Sequence, residues 1–345
     1  MIVFLICYIA LCLYGARIHK NGNSEYLSME QTASIKGIFI LLVLFSHFNS
    51  YVYYGSVMDQ TYASFVRWFG QTMVTMFLFY SGYGVMQSIT KKDGYVDTIP
   101  VKRVLATLFR FDCALLLYFI TGLIMRKSFG LKQIMLSLIG WDSIGNSNWY
   151  IFVIMLLYAM TYVAFKVIRT KNHLWPVVVI LLMSYGWILV CNRMHLREIH
   201  WYDTILCYGF GMLYSLYREK IERIVYKNKL IWAGALLLCV YAFMKVRASW
   251  SLTNAMLVNL IFTAIVVFIT MYISIGNKVL CWCGKNLFEL YILQRIPMML
   301  LQYWGLDKVN IYLYFICCVF ITIALIKPFR VCADRMWGFL VRKIG

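Results

Sequence analysis

The stretch Ser34–Tyr51, SIKGIFILLVLFSHFNSY, decides the fold. Its unbroken apolar run from Ile38 to Phe45, extended on both sides to cover Ser34 to Tyr54, has the roughly 20 mostly apolar residues that a helix needs to cross a bilayer. Working outward, the same pattern recurs over 2–15, 72–89, 104–125, 149–165, 174–191, 204–217, 230–244, 253–275, 287–304 and 311–326. The first of these is short and lacks the basic start and the small-residue cleavage site of a signal peptide; it reads as a spanning helix, with a signal or interfacial segment as the alternative. Of the 345 residues 62% are hydrophobic and only 14% charged, which places the chain in lipid rather than water. The expectation is an all-α, polytopic transmembrane bundle of about 10–11 helices. With four prolines and no clear repeat, 1–345 reads as a single membrane domain: an extra N-terminal helix and loop over 1–30, a core over 31–326 and a basic tail over 327–345.

A net charge of +19 would suggest nucleic acid in a soluble chain; in a membrane chain the basic residues are first placed on loops. If the loops alternate sides, one set holds about 22 Lys and Arg and the other about nine, so the richer side faces the cytoplasm. The N-terminus is then outside and the C-terminus inside, in a multi-pass protein of the cell membrane whose surroundings are the lipid bilayer and not nucleic acid. The 11 cysteines sit mainly in apolar stretches without a Cys-x-x-Cys pair, which favours packing over a metal site or disulfides. The segment Arg218–Lys229 alternates Lys and Arg with Glu and Ile and reads as a solvated juxtamembrane helix.

Ionisable groups inside spanning helices cost free energy, so Lys36 and His47 stand out. Eleven residues make almost three helical turns, so the two side chains share a face and lie about 16 Å apart along the axis. Ile40 and Leu44 fill that face between them. A histidine titrating near neutrality takes a proton from an attacking hydroxyl and later returns it, which makes His47 a candidate general base. The alternative for His47 is an interhelical hydrogen bond.

Four segments resemble, in order, the acyltransferase 3 family of bacterial integral-membrane enzymes that acylate surface carbohydrates. They are KGIFILLVLFSH (36–47), FLFYSGYGV (77–85), NWYIFVIMLLY (148–158) and CGKNLFELYILQ (283–294). The resemblance implies that an acyl group, usually acetyl from acetyl-CoA in the cytoplasm, passes to a hydroxyl of a cell-envelope polysaccharide. No resident cofactor or metal is expected; acyl-CoA is a co-substrate. Lys36 would hold a CoA phosphate as a point charge, while the extended pantetheine arm brings the thioester to His47. Ser81 and Gly82 would stand beside the acyl path, although small residues also serve close helix packing.

Lys102, Arg103 and Arg110 are expected to contact the donor. The family usually has two arginines separated by two residues here; Ala106 stands at the second position, and Arg110, seven residues from Arg103 and on its helical face, would compensate. The polar segment Gly140–Trp149, GWDSIGNSNW, suits a sugar acceptor, with Asp142, Asn146 and Asn148 bonding hydroxyls and Trp149 and Tyr150 offering aromatic faces. A plain turn before an interfacial tryptophan is the alternative.

Glu289 would orient His47 or pair with an arginine. The family often ends that segment in His, whereas this chain has Gln294, which cannot exchange protons, followed by Arg295. The rival from another functional class is a polysaccharide or small-solute exporter without acyl transfer, in which Lys36, Arg110, Glu289 and Arg295 line a path. No hydrolase-like outer domain is expected after the last helix, so an extracellular acyl-relay partner would be a separate protein.

Overall fold

The computed structural model describes residues 1–344. Apart from the two-residue antiparallel strands β1 (Arg17–Ile18) and β2 (Ile273–Ser274), these residues form helices and their connections. In chain order the helices are α1 (Ile2–Leu13), α2 (Met29–Asn49), α3 (Val57–Phe69), α4 (Thr72–Lys91), α5 (Tyr95–Ile99), α6 (Ala106–Ile124), α7 (Leu131–Leu138), α8 (Trp149–Val167) and α9 (Leu174–Arg193). Then follow α10 (Leu206–Lys227), α11 (Lys229–Arg247), α12 (Leu252–Thr270), α13 (Lys278–Lys285), α14 (Leu287–Leu293), α15 (Arg295–Tyr303), α16 (Leu306–Val309) and α17 (Ile311–Ile344). A π-helical turn, Pro100–Leu105, joins α5 to α6 in one 30-residue helix.

Seven of these helices are long and apolar enough to cross a membrane: α2, the α5–α6 unit, α8, α9, α11, α12 and α17. The chain is thus an all-α, multi-pass membrane protein, as its apolar runs indicate. Helix α1 is shorter, and α14 and α15 are two halves of one apolar stretch. Helices α4 and α10 have the length of a span but are more polar. Burial explains α4: from Thr72 to Tyr80 every residue is buried, so protein rather than lipid surrounds it.

Two crossings lock the bundle. A Cβ on Gly37 of α2 would lie 2.0 Å from the Leu280 carbonyl oxygen of α13, and one on Gly284 of α13 would lie 1.7 Å from that of Ala33. A Cβ on Gly82 of α4 would lie 2.0 Å from the Tyr208 oxygen of α10, and one on Gly211 would lie 2.1 Å from that of Phe79. In each pair both helices contribute the glycine that lets the partner's backbone approach, the small-residue packing that replaces the hydrophobic drive inside lipid.

The break between α14 and α15 has a local cause. Pro297 has no N–H for the Leu293 carbonyl, and its ring crowds that same carbonyl, so the helix is interrupted at Gln294. The Tyr118 hydroxyl of α6 donates to the Ile292 carbonyl at 2.7 Å, and Tyr314 of α17 donates to Met298 at 2.7 Å. Both bonds pin the two halves in place. The residues from Lys327 onward, expected as a basic tail, continue α17 through Pro328, and Arg330 among them reaches back to the core.

Candidate active site

The helix break lies against the C-terminal end of α2. There Gln294 Nε2 is 3.0 Å from His47 Nδ1, the interhelical hydrogen bond that was the alternative for this histidine, and Arg295 Nε donates to the Tyr51 hydroxyl at 2.9 Å. His47 and Tyr51 are four residues apart, one turn along α2 and its extension, so two successive residues at the break meet two successive turns. Gln302 adds a bond from its amide to the Tyr51 carbonyl at 2.8 Å. The Arg295 guanidinium is near enough to act on the imidazole through space.

Aromatic rings close the other side of His47. The Tyr291 ring lies 5.9 Å from the imidazole, and the Tyr150 ring 5.6 Å from that of Tyr291. His47 as a whole residue is partly buried. Near it Gln294 Oε1 has no hydrogen-bond partner among the described residues, and the Tyr291 hydroxyl lies close to that of Ser147 without a well-formed bond. Such atoms are costly unless a ligand or water satisfies them, which is the mark of a polar site rather than of core.

At the other end of α2, Lys36 is half-buried beside Cys281 of α13 and forms no ion pair among the described residues. Ser81 and Arg103 converge on Tyr158. The Ser81 and Tyr158 hydroxyls are 2.9 Å apart, the Arg103 guanidinium lies 5.9 Å from the centre of the Tyr158 ring, and Arg103 Nε donates to the Tyr95 hydroxyl at 3.0 Å. Arg103 belongs to the π-helical turn. The wider turn, opened where Pro100 supplies no N–H, shifts the helical register by about 100° per extra residue. The expected common face of Arg103 and Arg110 is therefore not formed: Arg103 points among tyrosines, while Arg110 is exposed and pairs with Asp334 of α17 at 2.8 Å. Lys102 is exposed. Gly82 spends its missing side chain on the crossing with α10.

Of the two partners open to Glu289, the structure gives the arginine. Arg330 Nε donates to Glu289 at 2.6 Å and its other nitrogen reaches Asn286; Glu289 does not touch His47, whose partner is Gln294. The carboxylate of this pair is protected, the Glu289 side chain being 10% exposed although that of Arg330 is 39% exposed, whereas Arg110 and Asp334 are each more than 40% exposed. Arg330→Ala is therefore expected to destabilise the chain by about 1.5–3 kcal/mol, against about 0–1 kcal/mol for Arg110→Ala. Thermal unfolding of the two purified variants checks the order, and Glu289→Gln added to Arg330→Ala should restore part of the loss.

The loop 140–148 uses most of its polar groups on itself. The Asn146 side-chain oxygen accepts from the Ile144 amide at 3.0 Å, the Asn148 amide donates to the Gly140 and Asp142 carbonyls at 3.0 Å each, and Asp142 accepts from the Ser143 amide at 2.8 Å. Asn146 and Asn148 thus shape the loop, and Gly145, with φ of +114°, seats it on Met299 of α15. Trp149 packs edge-on against His200, while Tyr150 faces Tyr291 beside His47. Of the five acceptor candidates, Tyr150 is the one that reaches the imidazole's surroundings.

The model of the acyltransferase 3 family, described as an acyltransferase domain, matches residues 34–327. The chain belongs to the acyltransferase 3 family. No curated protein and no solved structure matches it significantly. For this membrane acyltransferase, the match begins at the α2 stretch and carries through the broken helix into α17. Sequence reasoning missed Tyr51, Tyr158, Tyr291 and Arg330 as partners of the site. Tyr51 alone left a signal, its spacing of four from His47. Arg218, read as solvated, also turns inward, donating to the Tyr83 hydroxyl at 3.1 Å.

Proposed function

We propose that this acyltransferase moves an acyl group, acetyl foremost, from cytoplasmic acyl-CoA to a hydroxyl of an envelope carbohydrate on the outer side, with His47 as general base. What supports the proposal is the family match over residues 34–327 together with the place of His47, which lies beside Tyr291 and Arg295 at the broken helix, about three turns along α2 from Lys36, which has no ion pair among the described residues. In this orientation the N-terminus lies outside and the Lys36 end of the bundle faces the cytoplasm. Lys36 and Arg103 supply cationic groups for the donor's phosphates at that end, and Ser81 with Tyr158 lies between them and the imidazole end.

In the reaction His47 takes the proton of the acceptor hydroxyl as its oxygen attacks the thioester carbon. The C–S bond then breaks, and the proton passes to the departing thiolate. Charge develops on the carbonyl oxygen meanwhile, and Tyr291 and Arg295 are the nearby groups able to donate to or balance it.

His47 can accept through Nε2 only if its own proton sits on Nδ1. Gln294 decides this. With its Nε2 against Nδ1 the ring proton is on His47 Nε2, and the base is blocked; with the amide turned over, the now unpartnered Oε1 accepts from Nδ1–H and His47 Nε2 is free. The turn gives up a 3.3 Å bond to the Tyr291 carbonyl and sets Oε1 beside that oxygen. Gln294→Leu is expected to lower kcat by roughly ten- to a hundred-fold with the KM for acyl-CoA unchanged. Lys36→Gln should do the converse, raising that KM and sparing kcat. Both are read from transfer of labelled acetyl in membranes. Acetyl incorporation that ignores His47, Gln294 and Lys36 alike would favour the exporter reading.

A further inference from the structure

A cleft opens at the His47 end of the bundle, among the start of α4, the connection from α9 to α10, and the turn between α11 and α12. Its volume is about 300 Å³, the lower end of the range for small-molecule sites, and Gln71, Asp203, Arg247, Trp250, Asn254 and Asn259 line it. Asp203 is 5% exposed; its Oδ1 makes no well-formed hydrogen bond among the described residues, although Asn259 and the backbone amides of Asp203 and Thr204 lie close to the carboxyl, and the adjacent Thr204 hydroxyl, 1% exposed, has no partner among them. The Asn259 amide, also buried, holds the Asp203 backbone by donating to its carbonyl at 3.2 Å. Burial pushes the Asp203 carboxyl up to about 7, so near neutrality it both accepts and donates hydrogen bonds.

The chemistry of the lining narrows the ligand. The Arg247 guanidinium lies over the Trp68 ring at 4.5 Å and also donates to the Trp68 carbonyl, so it is already engaged rather than free for a phosphate. A single carboxylate with amides is too few hard oxygens for a divalent cation such as calcium, which takes about six to eight. What remains is one buried acid, the Gln71 amide, the side-chain oxygens of Asn254 and Asn259, whose amide nitrogens are taken by Ser249 and by the Asp203 carbonyl, and, at the rim, the Trp250 indole, 83% exposed. Hydroxyl groups pair with the acid and the amide groups and the apolar face of a pyranose with the indole.

We infer that this cleft is a saccharide subsite, in which Asp203 bonds the hydroxyls of a neutral sugar ring that stacks on Trp250. The inference deepens the proposed function, since it rests on the acceptor being a carbohydrate, and it gives that acceptor a hold apart from the reacting hydroxyl at His47. The test uses the full chain in phosphatidylcholine nanodiscs, with glucose, N-acetylglucosamine and maltose as probes and saturation-transfer NMR as readout. At least one probe should bind, and Asp203→Ala and Trp250→Ala should each weaken it roughly ten-fold. Trp250 is exposed enough that its removal leaves the fold intact, so this variant decides the matter if Asp203→Ala misfolds. Gly234→Ala, which meets no other atom, should bind the probe as the unaltered chain does. Sugar binding with no acyl transfer would keep the subsite and remove His47 chemistry; acyl transfer with no sugar binding would remove the subsite alone. No binding of any probe, binding indifferent to both substitutions, or displacement of the probes by phosphatidylglycerol in the discs overturns the inference.

Discussion

His47→Ala is expected to lower acyl transfer by roughly 10²–10⁴-fold while the chain stays inserted and folded. The size follows from the chemistry, because an alcohol is a poor nucleophile until a positioned base removes its proton, and among the described residues no second base stands beside the imidazole. Gln294, its hydrogen-bond partner, exchanges no proton, Glu289 is held by Arg330, and Arg295 is a cation. The fold is expected to survive because His47 makes one side-chain hydrogen bond and is partly buried, so its loss removes little apolar packing. Transfer of labelled acetyl in membranes, beside the thermal unfolding of the purified variant, separates the two effects. A fall in activity matched by an equal fall in stability would point to a structural histidine instead.

The largest structural effect is expected at Gly284. A methyl group there would sit 1.7 Å from the Ala33 carbonyl oxygen, inside both helices' backbones, and no side chain can swing away to make room. Helices α2 and α13 would have to separate along the crossing that also depends on Gly37. Gly284→Ala should therefore cost about 1–3 kcal/mol or more, in the manner of an overpacked core. It should also disturb Lys36, which stands beside this crossing. Gly186→Ala and Gly234→Ala are the controls: each lies in a helix with no atom near the added methyl, and each should be neutral or stabilising by about 0.5–1 kcal/mol. Unfolding midpoints of the three variants check the ranking, and equal midpoints would contradict the close approach.

The apolar runs made the helices legible, because a segment that meets lipid must be apolar throughout and its backbone must bond within itself. Lys36 and His47 stood out for the same reason. Pairing was harder to read. Whether Glu289 would meet His47 or an arginine depended on where the last helix ends, and Arg330 lies in a stretch whose basic composition resembles a loose tail. The Arg103 and Arg110 reading failed on a single π-helical turn: the seven-residue spacing assumes an unbroken α-helical register, which Pro100 interrupts. For the asparagines of 140–148, sugar recognition and turn formation use the same groups, and only the hydrogen bonds separate them. Gln294 is the converse case. By titration it offers nothing, yet among the described residues its amide is the side chain that bonds the imidazole.

If His47 delivers an acyl group to a carbohydrate across the membrane, the most direct measurement is the O-acyl content of the surface polysaccharide. Polysaccharide is isolated from cells carrying the unaltered chain, the His47→Ala chain or neither, and analysed by NMR for ester groups. The account predicts an O-acyl signal with the unaltered chain, none in the other two, and equal amounts of polysaccharide in all three. The same O-acyl signal in every sample, or polysaccharide that fails to reach the surface when the chain is missing, would contradict it.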